Sequence, residues 1–179
     1  MDARRAFLSA LAEEQARWRE LLAAAGEARA TQAATIGAWS IRDVVAHLAF
    51  WTHHAGAHVE AIAGGRAPEE AALYGAALPP DLARDDDTVN DWALAGLRHL
   101  SLAEVLAYAR QADERLAAAL GRLGDGELCD RGRAFPGLPW KGERTLIEVL
   151  DILVLQHAAE HRAQVESWLA RRPEQPRSA

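Results

Sequence analysis

Residues 145–169, TLIEVLDILVLQHAAEHRAQVESWL, place two histidines in the middle of an apolar helical pattern. Thr145 and Glu148 form a capping-box pair that predicts the start of the helix, and Pro173 limits its end. On a helix drawn at 100° per residue, one face collects Leu146, Leu150, Val154, His157, His161, Gln164 and Trp168. His157 and His161 are therefore predicted to point inward one turn apart, the spacing at which two imidazoles chelate one metal ion.

The length and composition predict an all-α protein with one domain. The chain has 179 residues, of which 50% are hydrophobic, and alanine is much commoner than the β-branched residues. That length supports one full hydrophobic core, and the alanine-rich composition favours closely packed helices. We expect a single domain over residues 1–172 and a disordered tail over residues 173–179.

Charge and hydropathy exclude several classes of function. The net charge is −6, and no local basic patch offsets it, so binding to nucleic acid is not expected. No apolar run has the eighteen or more residues of a membrane span, and the first residues do not form a signal-peptide core. We predict a cytoplasmic protein without membrane partners, whose one cysteine, Cys129, has no role in the site.

The periodicity of apolar residues predicts four long amphipathic helices. Their expected ranges are 3–25, 40–63, 88–122 and 145–170, with Gly26 as the stop of the first. Asp87 or Thr88 is predicted to cap the third helix, and a further capping-box pair, Ser101 and Glu104, indicates a kink in it near residues 99–101. Two long connecting segments, here called excursions, join the helices over residues 64–86 and 124–143. The first has room for a short helix over residues 68–74. The pattern is typical of a four-helix bundle.

A third histidine lies at the edge of the apolar stripe of the second helix. Ser40 and Asp43 cap this helix, and His47 shares a line with Trp51. With His157 and His161, His47 would give three neutral nitrogen ligands and an open fourth position, as in catalytic zinc or nickel sites. The alternative is that these histidines are hydrogen-bonded core residues without an ion.

The other histidines are weaker candidates. His53 is predicted to face solvent, and His99 lies at a junction between two helix caps, where a cation at a helix end is the simplest interpretation. His54 and His58 share the line of His47, and their simplest interpretation is a hydrated edge of the helix. The sequence alone does not exclude His54 as a ligand.

Four stretches resemble a known family. They are residues 39–51 (WSIRDVVAHLAFW), 89–106 (VNDWALAGLRHLSLAEVL), 144–150 (RTLIEVL) and 157–164 (HAAEHRAQ). In this order they resemble the DinB/YfiT-like four-helix bundles, most closely the ClbS/DfsB subgroup. The family's metal triad falls on His47, His157 and His161. The related mycothiol-dependent isomerases carry glutamate where this chain has His157, so the all-histidine set is nearer the general DinB pattern.

The resemblance implies a metal-dependent enzyme that acts on a small electrophilic molecule, as a hydrolase or thiol transferase in detoxification or self-protection. Zinc or nickel would lower the pKa of water or of a low-molecular-weight thiol. We expect Gln164 to orient His161 and Glu160 to accept a proton. Contacts to the substrate are expected from Trp51, Trp140 and Tyr74. The alternative function is a binding protein that sequesters a small molecule without metal, and the family resemblance also implies a homodimer.

Overall fold

The computed structural model describes residues 2–83, 85–131 and 142–171, and they form helices and turns without a β-strand. The helices are α1 (Ala3–Ala30), α2 (Ile41–Ala63), α3 (Glu70–Tyr74), α4 (Asp86–Leu97), α5 (Leu102–Leu120), α6 (Asp125–Leu128), α7 (Leu146–Leu150), a π-helical segment (Asp151–Gln156) and α8 (His157–Ala170). The predicted all-α helical bundle is confirmed. In this part of the chain no helix is long and apolar enough to cross a bilayer.

Four long rods build the bundle: α1, α2, α5, and the continuous run of α7, the π-helical segment and α8. Helices α2 and α5 approach most closely, and a methyl group added at Gly56 would lie 3.4 Å from the backbone nitrogen of Leu116. The core between the rods is aliphatic, with Val59, Leu120 and Val149 completely buried in its larger cluster. This packing fixes the face that α2 presents to the fourth rod.

Side-chain caps determine where several helices begin. The three predicted capping boxes form, with Ser40, Ser101 and Thr145 each bonded to the backbone nitrogen three residues on. The predicted helix 88–122 is divided in two, because the box at Ser101 starts α5 as a separate helix. The cap of α4 is Asp85, whose carboxylate accepts a hydrogen bond from the Thr88 backbone nitrogen, and not the predicted Asp87 or Thr88.

The first helix continues beyond the predicted stop at Gly26. Gly26 leaves the helical conformation, with φ 72° and ψ 161°, and the chain then resumes helical turns as far as Ala30. A positive φ costs glycine little, so the residue bends the rod without ending it. The predicted interruption at Gly26 is therefore confirmed, but the prediction did not include the further helical turn that ends at Ala30.

The fourth rod contains a π-helical segment over Asp151–Gln156, where a continuous α-helix was predicted. The wider turn changes the angular register between α7 and α8, since a π-helical turn holds more residues than an α-helical one. Leu150 and Val154 still reach the core, with 1% and 4% of their surfaces exposed. The segment therefore sets the direction in which the two histidines of α8 point.

The excursion after α2 folds back onto that helix. Its short helix α3 begins at Glu70 and ends at Tyr74, within the predicted range of 68–74. Leu73 is buried, and the ring of Tyr74 stacks on that of Phe50 at a centroid distance of 6.1 Å. The predicted tail over residues 173–179 lies outside the described residues.

Candidate metal centre

Three histidines from two rods meet at one point. His47 projects from α2 and is 4% exposed, while His157 and His161 lie one turn apart on α8 and are half-buried. His47 Nε2 lies 2.9 Å from His157 Nε2, and one ligand atom from each of the three rings lies within 4.8 Å of the other two. Among the described residues this is the only such cluster of histidine, cysteine and carboxylate groups.

Local structure explains why the rings converge. His47 follows the capped start of α2 by fewer than two turns, where Val44 and Val45 are buried and hold this end of the helix in the core. On the facing rod, the π-helical segment ends at the residue before His157. Such segments occur often at functional sites because they redirect side chains without breaking the helix.

The outer nitrogen of His161 is held by Gln164. His161 Nδ1 lies 3.0 Å from Gln164 Oε1, and since an amide oxygen only accepts, the ring donates from Nδ1. The His161 Nε2 atom then carries the lone pair. A hydrogen bond of this kind fixes the tautomer and orientation of metal-binding histidines. The predicted role of Gln164 in orienting His161 agrees with this contact.

The donor set fits a divalent transition-metal ion. Imidazole nitrogens bound to zinc at about 2.0–2.1 Å in tetrahedral geometry stand about 3.3 Å apart. The observed separation of 2.9 Å between His47 and His157, and the upper bound of 4.8 Å within the triad, lie on either side of that value. Small side-chain movements would therefore bring all three nitrogens to bonding distance.

Burial keeps the triad neutral. Desolvation, assisted by the two other rings, lowers the pKa of His47 to about 3. Burial also lowers the pKa values of His157 and His161, against opposing contributions from Glu160 and, for His157, from Asp86. Because metal binding requires unprotonated imidazole, the three rings are in the binding form at neutral pH. Glu160 itself is exposed, close enough to influence the pKa values of the two α8 histidines.

Two indole rings flank the triad. The ring centroid of Trp39 lies 4.9 Å from that of His47 and 6.3 Å from that of His161. Trp51 meets His47 edge-on at 6.5 Å, and its Nε1 donates to Asn90 Oδ1 at 2.8 Å. The predicted position of Trp51 beside His47 agrees with this geometry, and α4 supports that indole through Asn90.

Sequence reasoning missed Trp39 and Asn90 as residues of the site. Trp39 precedes the cap of α2, in a turn closed by backbone hydrogen bonds between Ile36 and Trp39. Its position immediately before the helix that carries His47 was the available signal. No signal in the sequence paired Asn90 with Trp51, since that contact spans 39 residues and depends on how α4 packs.

The family comparison agrees with this architecture. The family model described as the DinB superfamily matches residues 5–165. The chain belongs to the DinB superfamily. The match includes the triad and nearly all of the four rods, but it does not resolve the ClbS/DfsB subgroup. Comparisons with curated proteins and with solved structures found no match.

Tyr74, one of the predicted substrate contacts, packs against α2 beyond His47 in this DinB-superfamily chain. The ring of Tyr74 contacts those of Phe50 and His54, which lie further along α2 than His47. Trp140 lies outside the described residues. Trp51, in contrast, has a ring contact with the triad histidine His47.

The prediction of a hydrated edge at His54 and His58 was wrong. These histidines are 3% and 1% exposed, because α3 and its neighbouring turns cover this face of α2. Within the described residues, His54 Nδ1 and both ring nitrogens of His58 have no hydrogen-bond partner. His53, predicted to face solvent, is half-buried, and Arg115 Nη1 of α5 lies 3.0 Å from its Nε2. None of the three belongs to the triad.

Proposed function

We propose that the chain is a metal-dependent enzyme that uses His47, His157 and His161 to hold one divalent ion. The ion that we propose is zinc or nickel. The observation that supports this most directly is the convergence of three neutral imidazoles from α2 and α8, two of whose Nε2 atoms lie 2.9 Å apart. Three nitrogen ligands leave a coordination position for a substrate, as in catalytic rather than structural sites.

The chemistry follows from the donor set. A divalent ion held by three neutral ligands keeps its full positive charge and acts as a Lewis acid toward an oxygen or sulfur ligand. The chain's own contribution is to orient and exclude water: Gln164 holds the ring of His161, and Trp39 and Trp51 limit access beside His47. Glu160 is exposed on the same helix and is the proposed proton acceptor.

The proposed substrate is a small electrophile, attacked by water or by a low-molecular-weight thiol. Indole walls suit an apolar carbon skeleton, whereas a phosphate-rich substrate would be repelled by the net charge of −6. The resemblance of residues 39–51 and 89–106 to the ClbS/DfsB subgroup supports a detoxification or self-protection role. A cytoplasmic location and a homodimer belong to the same proposal.

A second candidate function is metal-free binding of a small molecule. The short contact between His47 Nε2 and His157 Nε2 favours it, since one ring can donate to the other and satisfy both nitrogens without an ion. The pocket would then use the His161 ring and the two indoles to hold its ligand.

Metal analysis separates the two candidates. Protein purified without an affinity tag, dialysed and then titrated with zinc or nickel should bind one ion per chain. Alanine at His47, His157 or His161 should lower the affinity by orders of magnitude, because two ligands remain of three. His53→Ala and His99→Ala are the matched controls. Wild-type affinity in all three triad variants would reject the metal site and leave the binding protein as the better candidate.

An activity screen then tests the reaction class. The zinc-loaded protein is incubated with epoxides, activated esters and α,β-unsaturated carbonyl compounds, with and without a small thiol, and product is followed by mass spectrometry. Turnover that requires the thiol indicates a transferase, and turnover in water alone indicates a hydrolase. Turnover that persists in His157→Ala would contradict a role for the triad.

A further inference from the structure

A cavity opens between α1 and α5, against α2 and the fourth rod, where Leu153, Val154, Leu155 and Ala158 also line it. Its volume is about 700 Å³, which lies in the range of small-molecule sites. The α2 residues at its base include Val45, Ala49 and Thr52. At 100° per residue these positions point roughly 140–160° away from His47, so this face of α2 is opposite the one that carries the triad histidine.

The walls of the cavity are mainly apolar. Leu8, Leu11 and Trp18 contribute from α1, and Leu106 and Ala109 contribute from α5. Leu106 is 36% exposed and is the one large hydrophobic residue that reaches this level of exposure in the described part of the chain. Removing the apolar surface of these walls from water would favour binding of an apolar molecular skeleton.

Most charged groups around the cavity already have ionic partners. Glu14 accepts from Arg162 Nε at 2.7 Å, and Glu114 lies 3.9 Å from Arg110. Asp113 differs, since it makes no ion pair among the described residues. Its carboxyl is partly buried in the wall, and desolvation raises its pKa to about 6, although Gln15 and Arg19 act in the opposite direction. Asp113 is thus mostly ionised at pH 7.5 without a bound cation.

We propose that this cavity binds a small amphipathic amine, with its ammonium group on Asp113 and its apolar body between α1 and α5. An ammonium would give the carboxylate the ion pair it lacks, and charged hydrogen bonds in partly buried surroundings are among the stronger polar contacts. The proposal does not depend on the function proposed for the triad.

Other occupants fit the cavity less well. A neutral apolar molecule would desolvate Asp113 without compensating it, and an anion would be repelled by the carboxylate of Asp113, which has no ion-pair partner among the described residues. A helix of a second copy would need a broad apolar border. The border here carries the charged side chains of Arg19, Arg110 and Glu114 instead.

Three probes of one shape test the charge preference. Isothermal titration of the full chain at pH 7.5 is carried out with 1-naphthylmethylamine, 1-naphthalenemethanol and 1-naphthoic acid. The amine should bind most tightly, the alcohol more weakly, and the acid weakest of all. Sedimentation with and without the amine reports whether a second copy competes for the same surface.

Variants locate the binding site. Asp113→Asn should lower the affinity for the amine roughly ten- to hundredfold, which corresponds to the loss of one hydrogen bond to a charged group. The affinity for the alcohol should not change. The matched control Glu114→Gln should keep the affinity for the amine. Ala109→Trp should weaken the binding of all three probes by narrowing the cavity, and His47→Ala should weaken none. Circular dichroism verifies that each variant is folded.

The proposal is overturned by any of four results. They are an absence of amine binding, equal binding of amine and acid, an Asp113→Asn affinity for the amine equal to that of the wild type, and a chain whose self-association closes the cavity to the amine. An affinity for the amine that Ala109→Trp leaves unchanged is a fifth such result, because it would place the amine elsewhere. Loss of the metal site leaves these outcomes unaffected, so the two proposals fail separately.

Discussion

His54 and His58 lie one turn apart on α2 with ring centroids 4.8 Å from each other, and both rings are buried. In the described part of the chain, His54 Nδ1 and both ring nitrogens of His58 have no hydrogen-bond partner. Desolvation lowers the pKa of His54 to about 3 and that of His58 to about 4. A protonated ring at either position would be a buried cation beside another imidazole. The folded protein therefore holds both rings neutral, whereas in the unfolded chain each titrates near pH 6.5.

This difference predicts a loss of stability in mild acid. Above pH 6.5 both states carry neutral rings, and the full stability is present. As the pH falls from 6.5 toward 4, the two imidazoles are protonated in the unfolded chain but stay neutral in the folded one, so the free energy of unfolding decreases. The expected loss is about 1–2 kcal/mol for each of the two histidines at pH 5. Urea titrations at pH 7 and pH 5, with a chelator present, measure it.

His58→Leu is the variant that isolates the effect. It should reduce the pH dependence, and it should cost little stability at pH 7 because it removes two unpaired polar atoms from the core. The control His99→Ala changes an exposed residue and should keep the pH dependence of the wild type. An unchanged slope in His58→Leu would show that this ring titrates normally in the fold.

The buried face at His54 and His58 also shows where sequence periodicity fails. Angular position on α2 placed His47, His54 and His58 on one line, and that placement holds. Whether one face of a helix is exposed to solvent depends on which element packs against it. Here that element is α3, and its segment of the sequence has too weak a hydrophobic periodicity to predict where it packs. The triad was predictable because each histidine lies on the apolar side of its own helix.

The π-helical segment was unpredictable for a different reason. No glycine or proline interrupts Asp151–Gln156, and its apolar residues fit an α-helix equally well. The choice between the two hydrogen-bond patterns is made by packing against α1 and α2, which the local sequence does not encode. The division of the third predicted helix was partly visible, because the capping box at Ser101 was recognised within it.

Gln164 should influence the metal site without touching the ion. Its amide oxygen holds His161 Nδ1 at 3.0 Å, so Gln164→Leu frees the ring to rotate and to change tautomer. Loss of such a supporting contact lowers metal affinity by roughly ten- to hundredfold. Competition with a chromophoric chelator measures the zinc affinity, and Gln111→Leu, at an exposed position of α5, is the control. Equal affinities in the two variants would deny Gln164 a positioning role.

The ion pair between Glu14 and Arg162 should stabilise the contact of α1 with α8. Arg162 Nε lies 2.7 Å from Glu14 Oε1, and the side chains are 18% and 8% exposed. Glu14→Ala leaves the guanidinium without its most buried partner and should cost about 1–3 kcal/mol in the free energy of unfolding. Glu13→Ala removes a carboxylate that is 66% exposed and should change stability by less than about 0.5 kcal/mol. Urea denaturation compares them, and similar losses would refute the assignment.

Zinc binding should resist mild acid better than free imidazoles would. Three rings with a pKa of 6.5 would each lose affinity about tenfold at pH 5.5, or about a thousandfold together. Because burial lowers the pKa of His47 to about 3, protons do not compete for that ring in this range. The pKa values of His157 and His161 are also lowered, so protonation of these two rings contributes less to the loss of zinc affinity than it would in free imidazoles. We therefore expect the affinity to fall by far less than a hundredfold between pH 7 and pH 5.5, measured against a chelator calibrated at both pH values. A thousandfold fall would mean that the rings titrate as if exposed, and that the burial of the triad does not persist in solution.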